Sequence, residues 1–358
     1  MKVAIIGTVG VPAKYGGFET LTENLLTYKS NADIQYQIYC SKRSYDQKPR
    51  FYKNARLFYL PFRANGAQSP VYDIISIFHA LFTVDKLLIL GVSGCLILPF
   101  VRLFSKKQII TNIDGLEYKR EKWGKWTRKF LKFSEKMAVK FANVVIVDNK
   151  GIQDYVTIEY GRNAKLIEYG GDHALLETEN SVPTELKIPA KSYAVTVCRI
   201  EPENNIHILL DAFGKMPDKK LVVIGNWEKA NYGKNLKKQY AEYENIQMTN
   251  SIYDIKKLNA FRKNASYYVH GHSAGGTNPS LVEAMSLGLP VIAFDVVYNR
   301  ETTENKAIYF ENSDALCQII RDLTDEKLKQ NADEMKQIAE SRYKWSIVVQ
   351  KYENLLKS

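Results

Sequence analysis

The chain has 358 residues, of which 45% are hydrophobic and 25% charged, so it is globular and longer than one hydrophobic core usually organises. Its four cysteines lie far apart and form no CxxC pair, which argues against both a disulfide framework and a zinc site. A formal net charge of +11 indicates an anionic partner, and nucleic acid, anionic lipid and a phosphorylated substrate all meet that condition.

Apolar, β-branched runs alternate with helical patterns through the first half of the chain, at residues 3–6, 37–40, 57–60, 87–90, 108–113 and 144–147. This alternation predicts a parallel sheet covered by helices. The longest uncharged run, residues 87–101, is shorter than the roughly 20 apolar residues of a membrane span and contains Gly91, Gly94 and Pro99, so it predicts strand, loop and helix. The first residues carry no export pattern, and we expect a cytoplasmic location.

The densest cationic stretch covers residues 119–140, and Trp123, Trp126, Phe130 and Phe133 stand among its charges. The pattern is typical of a helix at a membrane interface, which predicts peripheral contact with the anionic inner face of the cell membrane. It is also typical of an amphipathic surface helix whose aromatic side chains pack into the core while its lysines are solvated. No nucleic-acid partner is expected, because zinc-finger spacing, an RRM-like aromatic signature and a basic heptad region are all missing.

The alternation stops over residues 172–191, a polar segment that contains Pro183 and Pro189 and predicts a linker. It resumes at residues 193–197, 221–224, 246–248, 267–270 and 290–294. The sequence therefore predicts an α/β protein with two Rossmann-like domains, residues 1–171 and 172–342, and a terminal helix, residues 343–358, that packs back on the first domain. Such sheets bind ligands at the carboxyl ends of their strands, so we expect the domains to face each other across a cleft that holds the site.

The first strand leads into a glycine-rich segment, GTVGVPAKYGGFE at residues 7–19, before a helical pattern begins. The segment is not GxGxxG, and no convincing acidic ribose ligand follows it, which disfavours a nicotinamide cofactor. Free backbone N–H groups at the start of the helix would suit an anion. The alternative is that Gly16 and Gly17 only form a tight turn.

This string resembles the opening of a bacterial rhamnosyltransferase-like group within the retaining GT-B glycosyltransferases of family four. The resemblance continues at residues 112–120 (NIDGLEYKR), 198–205 (CRIEPENN) and 270–285 (HGHSAGGTNPSLVEAM), so four motifs in the family's order span most of the chain. It implies a GT-B fold and transfer of L-rhamnose from dTDP-L-rhamnose. The acceptor it implies is a saccharide on a polyprenyl lipid, in cell-surface polysaccharide synthesis.

The strongest single motif runs from Gly275 to Glu283. A helix that begins near Ser280 would present its positive end to the preceding loop, where a diphosphate would bind. Glu283 matches the last residue of the family's Glu-x7-Glu motif and is expected to accept hydrogen bonds from ribose hydroxyls; the alternative is a carboxylate that only complements the helix dipole. By resemblance, the donor-binding residues are Gly16, Gly17, Arg199, Ile252, Tyr253, Gly275, Gly276, Thr277, Asn278, Pro279, Ser280 and Glu283.

The chain departs from the family at two charged positions, since Gly275 replaces the first Glu and Asn204 replaces a Lys that helps to bind phosphate. Arg199 follows the first strand of the second domain, where a guanidinium can clamp phosphate oxygens. Its alternative is a surface arginine that pairs with Glu201 or Glu203. No catalytic carboxylate is assigned at Gly275.

Asp114 stands where many relatives carry a His that contacts the donor hexose. We expect it to contact the glycone, and we group it with Arg199 and Glu283 as catalytic; the alternative is that it caps the turn through Gly115. The resemblance implies that Lys14, Tyr15, Glu19 and Glu117 lie on the acceptor side.

No metal or other cofactor is expected, because the chain has no DxD motif and its five histidines form no recognisable ligand set. His270 and His272 lie on the same side of a strand end and are expected to form hydrogen bonds in the core or loop. The resemblance implies that a phosphate oxygen of the leaving group takes the acceptor's proton. Three alternatives stay open: a transferase that uses a UDP-hexose, a nucleotide-sugar 2-epimerase, and a non-catalytic nucleotide-sugar-binding subunit.

Overall fold

A computed structural model of the chain describes residues 1–14, 16–113, 115–119, 123–176, 183, 185–186 and 188–357, without the side chain of residue 176. The chain divides into two compact units. Met1–Glu168 and Trp345–Ser358 form the first unit, and Tyr169–Lys344 forms the second.

The first unit is built on an eight-stranded sheet with the order β3-β4-β2-β1-β5-β6-β7-β8. Its strands are β1 (Lys2–Ile6), β2 (Gln35–Ser41), β3 (Phe51–Tyr52), β4 (Ala55–Leu60), β5 (Lys86–Leu90), β6 (Gln108–Asn112), β7 (Val144–Val147) and β8 (Lys165–Leu166). Its helices are α1 (Gly17–Thr27), α2 (Ser69–Thr83), α3 (Leu98–Phe104), α4 (Lys125–Phe141) and α5 (Lys150–Tyr160). The central strands are buried on both faces, as expected for a parallel sheet covered by helices.

The second unit has a six-stranded parallel sheet with the order β11-β10-β9-β12-β13-β14. Its strands are β9 (Tyr193–Val197), β10 (Lys220–Ile224), β11 (Ile246–Thr249), β12 (Tyr267–His270), β13 (Val291–Phe294) and β14 (Ile308–Phe310). Its helices are α6 (His173–Leu176), α7 (Ile206–Gly214), α8 (Asn231–Gln239), α9 (Ile255–Lys263), α10 (Pro279–Ser286), α11 (Val297–Thr302), α12 (Ser313–Arg321) and α13 (Asp325–Arg342). Leu209, Phe213 and Trp227 are among the fully buried side chains of its core.

The last helix, α14 (Trp345–Lys357), belongs to the first unit. Glu353 Oε1 accepts hydrogen bonds from the backbone N–H groups of Ser30 and Asn31, at 2.8 and 3.1 Å. The Tyr352 hydroxyl accepts one from Asn112 Nδ2 at 2.7 Å, at the end of β6. The end of the chain is therefore tied to the sheet of the first unit.

All eleven predicted apolar runs are strands, and residues 87–101 form β5, a short 3-10 turn and the start of α3. No helix within the described ranges combines the length and the apolar composition needed to cross a membrane. The first sheet is parallel as predicted over its predicted strands, and the short additional strand β3 pairs with β4 antiparallel at its edge. Lys53 and Asn54, which join these two strands, both have positive φ, at 44° and 64°, as a two-residue hairpin turn requires.

Candidate functional site

Two loops of the second unit meet at the carboxyl ends of the adjacent strands β9 and β12. The N–H and the hydroxyl of Ser273 both donate to the Glu203 carbonyl, at 2.9 Å each. Asn205 Nδ2 donates to the Gly271 carbonyl at 2.9 Å. The structure therefore brings the segment that carries Arg199 against the loop that leads to Gly275 and α10.

The loop before α10 has room for a ligand and a backbone that requires glycine. Gly275 has φ +124°, and a Cβ added there would meet no atom within 4 Å. The side chain of Asn278 caps α10 by accepting a hydrogen bond from the Ser280 N–H at 3.0 Å. Because Pro279 has no N–H and that of Ser280 is used by the cap, backbone donors for an anion must come from residues before Pro279. The predicted donor contact of Ser280 remains a prediction, and its N–H is already used by the cap in this structure.

Arg199 lies just beyond β9, and its side chain is one-third exposed. Its Nε is 3.6 Å from Oε2 of the buried Glu201, while Lys229 Nζ is 3.5 Å from Oε1 of the same carboxylate. Arg199 is thus paired with Glu201, as the alternative interpretation proposed, but the pairing involves only its Nε. The two terminal nitrogens keep further donors for phosphate oxygens.

Asn204, which replaces the family's Lys, is buried and donates from Nδ2 to the Arg199 carbonyl at 2.6 Å. Its side chain therefore closes the loop that carries Arg199. The neighbouring Glu203 is also buried, and neither of its carboxylate oxygens has a hydrogen-bond partner among the described residues. Sequence reasoning considered Glu203 only as a partner for Arg199, whereas an ionised carboxylate in this loop could accept hydrogen bonds from ligand hydroxyls.

Glu283 is buried in the second turn of α10 and forms an ion pair between its Oε2 and Arg262 Nη2. Its Oε1 is 3.2 Å from His173 Nε2. Burial alone would raise the pKa of Glu283, but the Arg262 charge and the His173 hydrogen bond lower it to about 2. Glu283 is therefore ionised at neutral pH, with lone pairs left for hydroxyl donors.

Sequence reasoning missed Arg262, which lies on α9 and is fully buried. Its Nη1 donates to Asn259 Oδ1 at 3.1 Å, and Asn259 Nδ2 donates to the Ala174 carbonyl at 2.8 Å. The sequence did contain a sign of a buried Arg262, because Asn259 and Arg262 are spaced so that they share a helix face with the apolar Ile255 and Leu258. A charge on the buried side of a helix indicates a buried partner.

His270 and His272 lie on the same side of the strand end, as predicted, and their rings stack with centroids 4.3 Å apart. His270 is fully buried, and burial lowers its pKa to about 3. It is therefore a neutral imidazole at physiological pH. Neither of its ring nitrogens has a hydrogen-bond partner within the described part of the chain.

The remaining predicted donor contact, Ile252 and Tyr253, follows β11, the edge strand that β10 separates from β9. The Tyr253 side chain is 64% exposed. Gly276 and Thr277 lie between Gly275 and the Asn278 cap, and Thr277 is buried. The donor contacts of these residues remain predictions.

The glycine-rich loop of the first unit is organised by an internal carboxylate. Glu19 Oε1 accepts hydrogen bonds from the Val9 N–H at 2.7 Å and the Thr8 hydroxyl at 3.2 Å. Gly16 has φ +126°, and a Cβ added there would lie 1.9 Å from Glu19 Oε2. The turn therefore requires glycine for steric reasons, and the Val9 N–H, one of the donors expected to be free for an anion, is already used.

The structure describes three of the four predicted acceptor-side residues, Lys14, Glu19 and Glu117, but not Tyr15. Tyr15 lies outside the described residues, as does Asp114. Glu117 Oε1 accepts a hydrogen bond from Trp123 Nε1 at 3.0 Å. Lys14 Nζ donates to the Ser44 carbonyl at 2.8 Å, and Gly17 is the exposed first residue of α1.

Residues 125–140 of the basic stretch lie in α4, and the four aromatic residues of the stretch divide into two pairs. The side chains of Trp126 and Phe133 are 83% and 54% exposed, whereas Trp123 and Phe130 are half-buried. The interpretation in which the aromatic residues of this stretch pack into the core is therefore wrong for Trp126 and Phe133.

Among the described residues, no group of three or more His, Cys, Asp or Glu side chains could hold a metal ion. The prediction that the protein needs no metal remains a prediction.

Two family models divide the sequence between them. Residues 1–172 match a model described as a domain of unknown function (DUF1972), and residues 178–344 match the model described as glycosyl transferases group 1. No curated protein matched the sequence.

Solved structures that resemble the chain cover nearly all of it. Sucrose-phosphate synthase from Thermosynechococcus elongatus has 17% identity and a TM-score of 0.83, over 99% of this chain and 98% of that one. Anabaena HepE in complex with UDP has 17% identity and a TM-score of 0.77, over 100% of both chains. Its complex with UDP and glucose has 18% identity and a TM-score of 0.76, over 100% of this chain and 99% of that one.

These likenesses confirm the predicted fold class: the chain has the two-domain α/β fold of GT-B glycosyltransferases. The prediction of a glycosyltransferase is confirmed at the level of the group 1 domain in residues 178–344.

Proposed function

We propose that this chain, whose second unit carries the glycosyl transferases group 1 domain, is a retaining enzyme that transfers L-rhamnose from dTDP-L-rhamnose to a lipid-linked saccharide. The observation that carries the proposal is the meeting of the Arg199 segment with the open loop at Gly275, at the carboxyl ends of β9 and β12. This is the edge at which doubly wound sheets bind nucleotides. The choice of rhamnose rests on the resemblance of the four sequence motifs.

In this proposal each site residue has one task. Arg199 and the backbone amides of residues 275–278 stabilise the negative charge that develops on the leaving diphosphate. Glu283, ionised and buried, accepts hydrogen bonds from the ribose. A phosphate oxygen takes the proton of the acceptor hydroxyl as the new glycosidic bond forms on the face that the diphosphate leaves, so no protein nucleophile and no metal are needed.

A transferase that uses a UDP-hexose is the second candidate, and it is favoured by the likeness to HepE, which was solved with UDP and glucose. The two candidates differ in the base and in the glycone. In either case, the nucleotide base would bind near Ile252 and Tyr253, just after the carboxyl end of the edge strand β11.

A panel of dTDP-, UDP- and GDP-sugars, screened by thermal shift and by saturation-transfer NMR, tests both proposals. We expect dTDP-L-rhamnose to give the largest shift and Arg199→Met to abolish it. A clear preference for UDP-glucose in the unmutated protein would overturn the rhamnosyl proposal and leave the transferase. Conversion of the donor without acceptor would instead indicate an epimerase, and binding with neither transfer nor hydrolysis would indicate a non-catalytic subunit.

We also propose that α4 contacts an anionic membrane, since its exposed Trp126 and Phe133 stand among lysines. Flotation with phosphatidylglycerol vesicles should recover the protein at low salt and lose it as salt is added. Phosphatidylcholine vesicles are the matched control. Equal flotation on both, or none on either, would contradict this proposal.

A further inference from the structure

A cavity of about 580 Å³ opens beside α4 in the first unit. Four cationic side chains line it, Arg128, Lys129, Lys132 and Lys136, together with the rings of Tyr118 and Tyr160 and one carboxylate, Glu159, which is paired with Lys132. The cations come from two turns of one helix, so their spacing is fixed by the backbone. Phe133 and the lysines of this cavity also belong to the helix proposed above to contact a membrane, and no role has yet been given to the cavity itself.

The charged side chains of α4 that line the cavity are all positive. Arg128, Lys132 and Lys136 follow each other at intervals of four residues, which places them on one face of the helix. Arg128, Lys129 and Lys136 form no ion pair within the described part of the chain. The buried Nε of Arg128 also lacks a hydrogen-bond acceptor there. An anion in the cavity would give Arg128, Lys129 and Lys136 a counter-charge.

Lys132 differs from its neighbours because the protein already balances its charge. Its Nζ is 2.9 Å from a Glu159 oxygen and 4.8–4.9 Å from the ring centroids of Tyr118 and Tyr160. The buried Glu135 accepts hydrogen bonds from the hydroxyls of Tyr155, at 2.7 Å, and Tyr160, at 2.6 Å. These contacts fix the aromatic wall of the cavity, and the three other cations remain to bind a ligand.

We propose that this cavity binds a phosphate or diphosphate group. Phosphate oxygens suit both guanidinium and ammonium donors, and three cations that form no ion pair with the described residues can balance the two negative charges of a diphosphate diester. Phe133 also lines the cavity and is 54% exposed, so an apolar chain attached to the anion would have a surface to contact. The proposal of an anion site is independent of the proposed function. The further step, that the ligand is the diphosphate that joins the acceptor saccharide to its lipid, rests on the proposed function.

Lysine acetylation followed by mass spectrometry tests the site directly, with inorganic pyrophosphate as the probe. Pyrophosphate should slow acetylation of Lys129 and Lys136, which line the cavity, by about threefold or more, and should spare Lys125 and Lys140 at the ends of the same helix. Equal protection of all four lysines, or of none, would overturn the proposal.

Phosphatidylglycerol vesicles separate the two sources of the anion. Protection by vesicles that is strongest at Lys129 and Lys136 would identify a phospholipid headgroup as the ligand of the cavity. Uniform protection along α4 by vesicles, together with selective protection by pyrophosphate, would assign the cavity to a diphosphate and the rest of the helix to the membrane surface.

Paired variants give the quantitative test. Arg128→Gln with Lys136→Gln should weaken pyrophosphate binding by about tenfold, or about 1.4 kcal/mol, by calorimetry with UDP present to occupy the donor site. The control, Lys125→Gln with Lys140→Gln, removes the same charge from the same helix and should change binding by less than about twofold, since glutamine keeps the helix propensity. Equal losses in the two pairs would overturn the site. Selective loss in a protein that transfers no sugar would keep the site and refute the transferase.

Discussion

Removal of the Glu283 carboxylate is expected to destabilise the second unit before it affects any ligand. In Glu283→Ala the fully buried Arg262 loses its counter-ion, and among the described residues Asn259 Oδ1 is the side-chain acceptor that remains to it. Breaking a buried ion pair by removing one partner costs about 3–5 kcal/mol, because a desolvated charge remains. For a unit of this size we expect the melting temperature to fall by about 10 °C.

Differential scanning calorimetry measures the loss, and hydrogen–deuterium exchange of α9 and α10 places it in the second unit. The matched control is Glu334→Ala, which breaks an exposed pair with Lys306 at 3.6 Å in the same unit and should cost less than about 1 kcal/mol. If the two variants melt within about 2 °C of each other, the buried pair is not a stabilising element and the reasoning fails.

A double variant separates stability from ligand binding. Arg262→Met with Glu283→Met replaces the pair by apolar side chains, so the unpaired charge disappears and most of the stability should return. If Glu283 accepts hydrogen bonds from the ribose, this folded protein should still bind the donor at least about tenfold more weakly, the equivalent of one charge-assisted hydrogen bond. Recovered stability with unchanged binding would leave Glu283 a purely structural residue.

Three further predictions concern a pH dependence, a turn and a loop. Burial raises the pKa of Asp73 from 3.8, its value in the unfolded chain, to about 7. The stability that the protonated carboxyl contributes is therefore fully present below pH 3.8 and is lost as the pH rises through 7. In urea unfolding at pH 8, Asp73→Asn should be more stable than the unmutated protein. In urea unfolding, Gly16→Ala should lose more stability than Gly275→Ala, although each adds about 1–3 kcal/mol of backbone strain at a similar φ, because a Cβ at Gly16 would displace the Glu19 carboxylate from its hydrogen bonds to Val9 and Thr8, whereas Gly275 faces open space. Asn204→Ala should weaken UDP binding several-fold by moving Arg199, and should add nothing to Arg199→Met in a double-mutant cycle; additive losses would mean that Asn204 acts without Arg199.

The strands of both sheets could be predicted because their information is local. Runs such as residues 144–147 and 193–197 are continuous, apolar and β-branched, and they coincide with β7 and β9. The three missed strands, β3, β8 and β14, have two or three residues each, too few to show a period. These strands form because a neighbouring strand provides backbone hydrogen-bond partners. The sequence of a short segment does not show which strand will lie beside it.

The site divides in the same way. Glu283 and Arg199 could be singled out because each stands in a contiguous motif. The partner of Glu283 could not, since Arg262 lies on another helix, 21 residues away, and their contact depends on how α9 and α10 pack. Glu19 shows the same limit, because its acceptor-side role remains a prediction, whereas its hydrogen bonds to Val9 and Thr8, which hold the glycine-rich turn, depend on how the loop folds.

The two departures from the family motifs are consistent with each other once local geometry is considered. Gly275 removes a negative charge beside the proposed diphosphate, and its φ of +124° is one that a glutamate side chain rarely adopts. Asn204 removes a positive charge from the opposite loop and uses its amide to fix the Arg199 carbonyl at 2.6 Å. The loss of one anion and one cation leaves the local charge balance unchanged. Binding of the diphosphate then depends on the placement of Arg199 and on the amides before Pro279, both of which are set by backbone geometry.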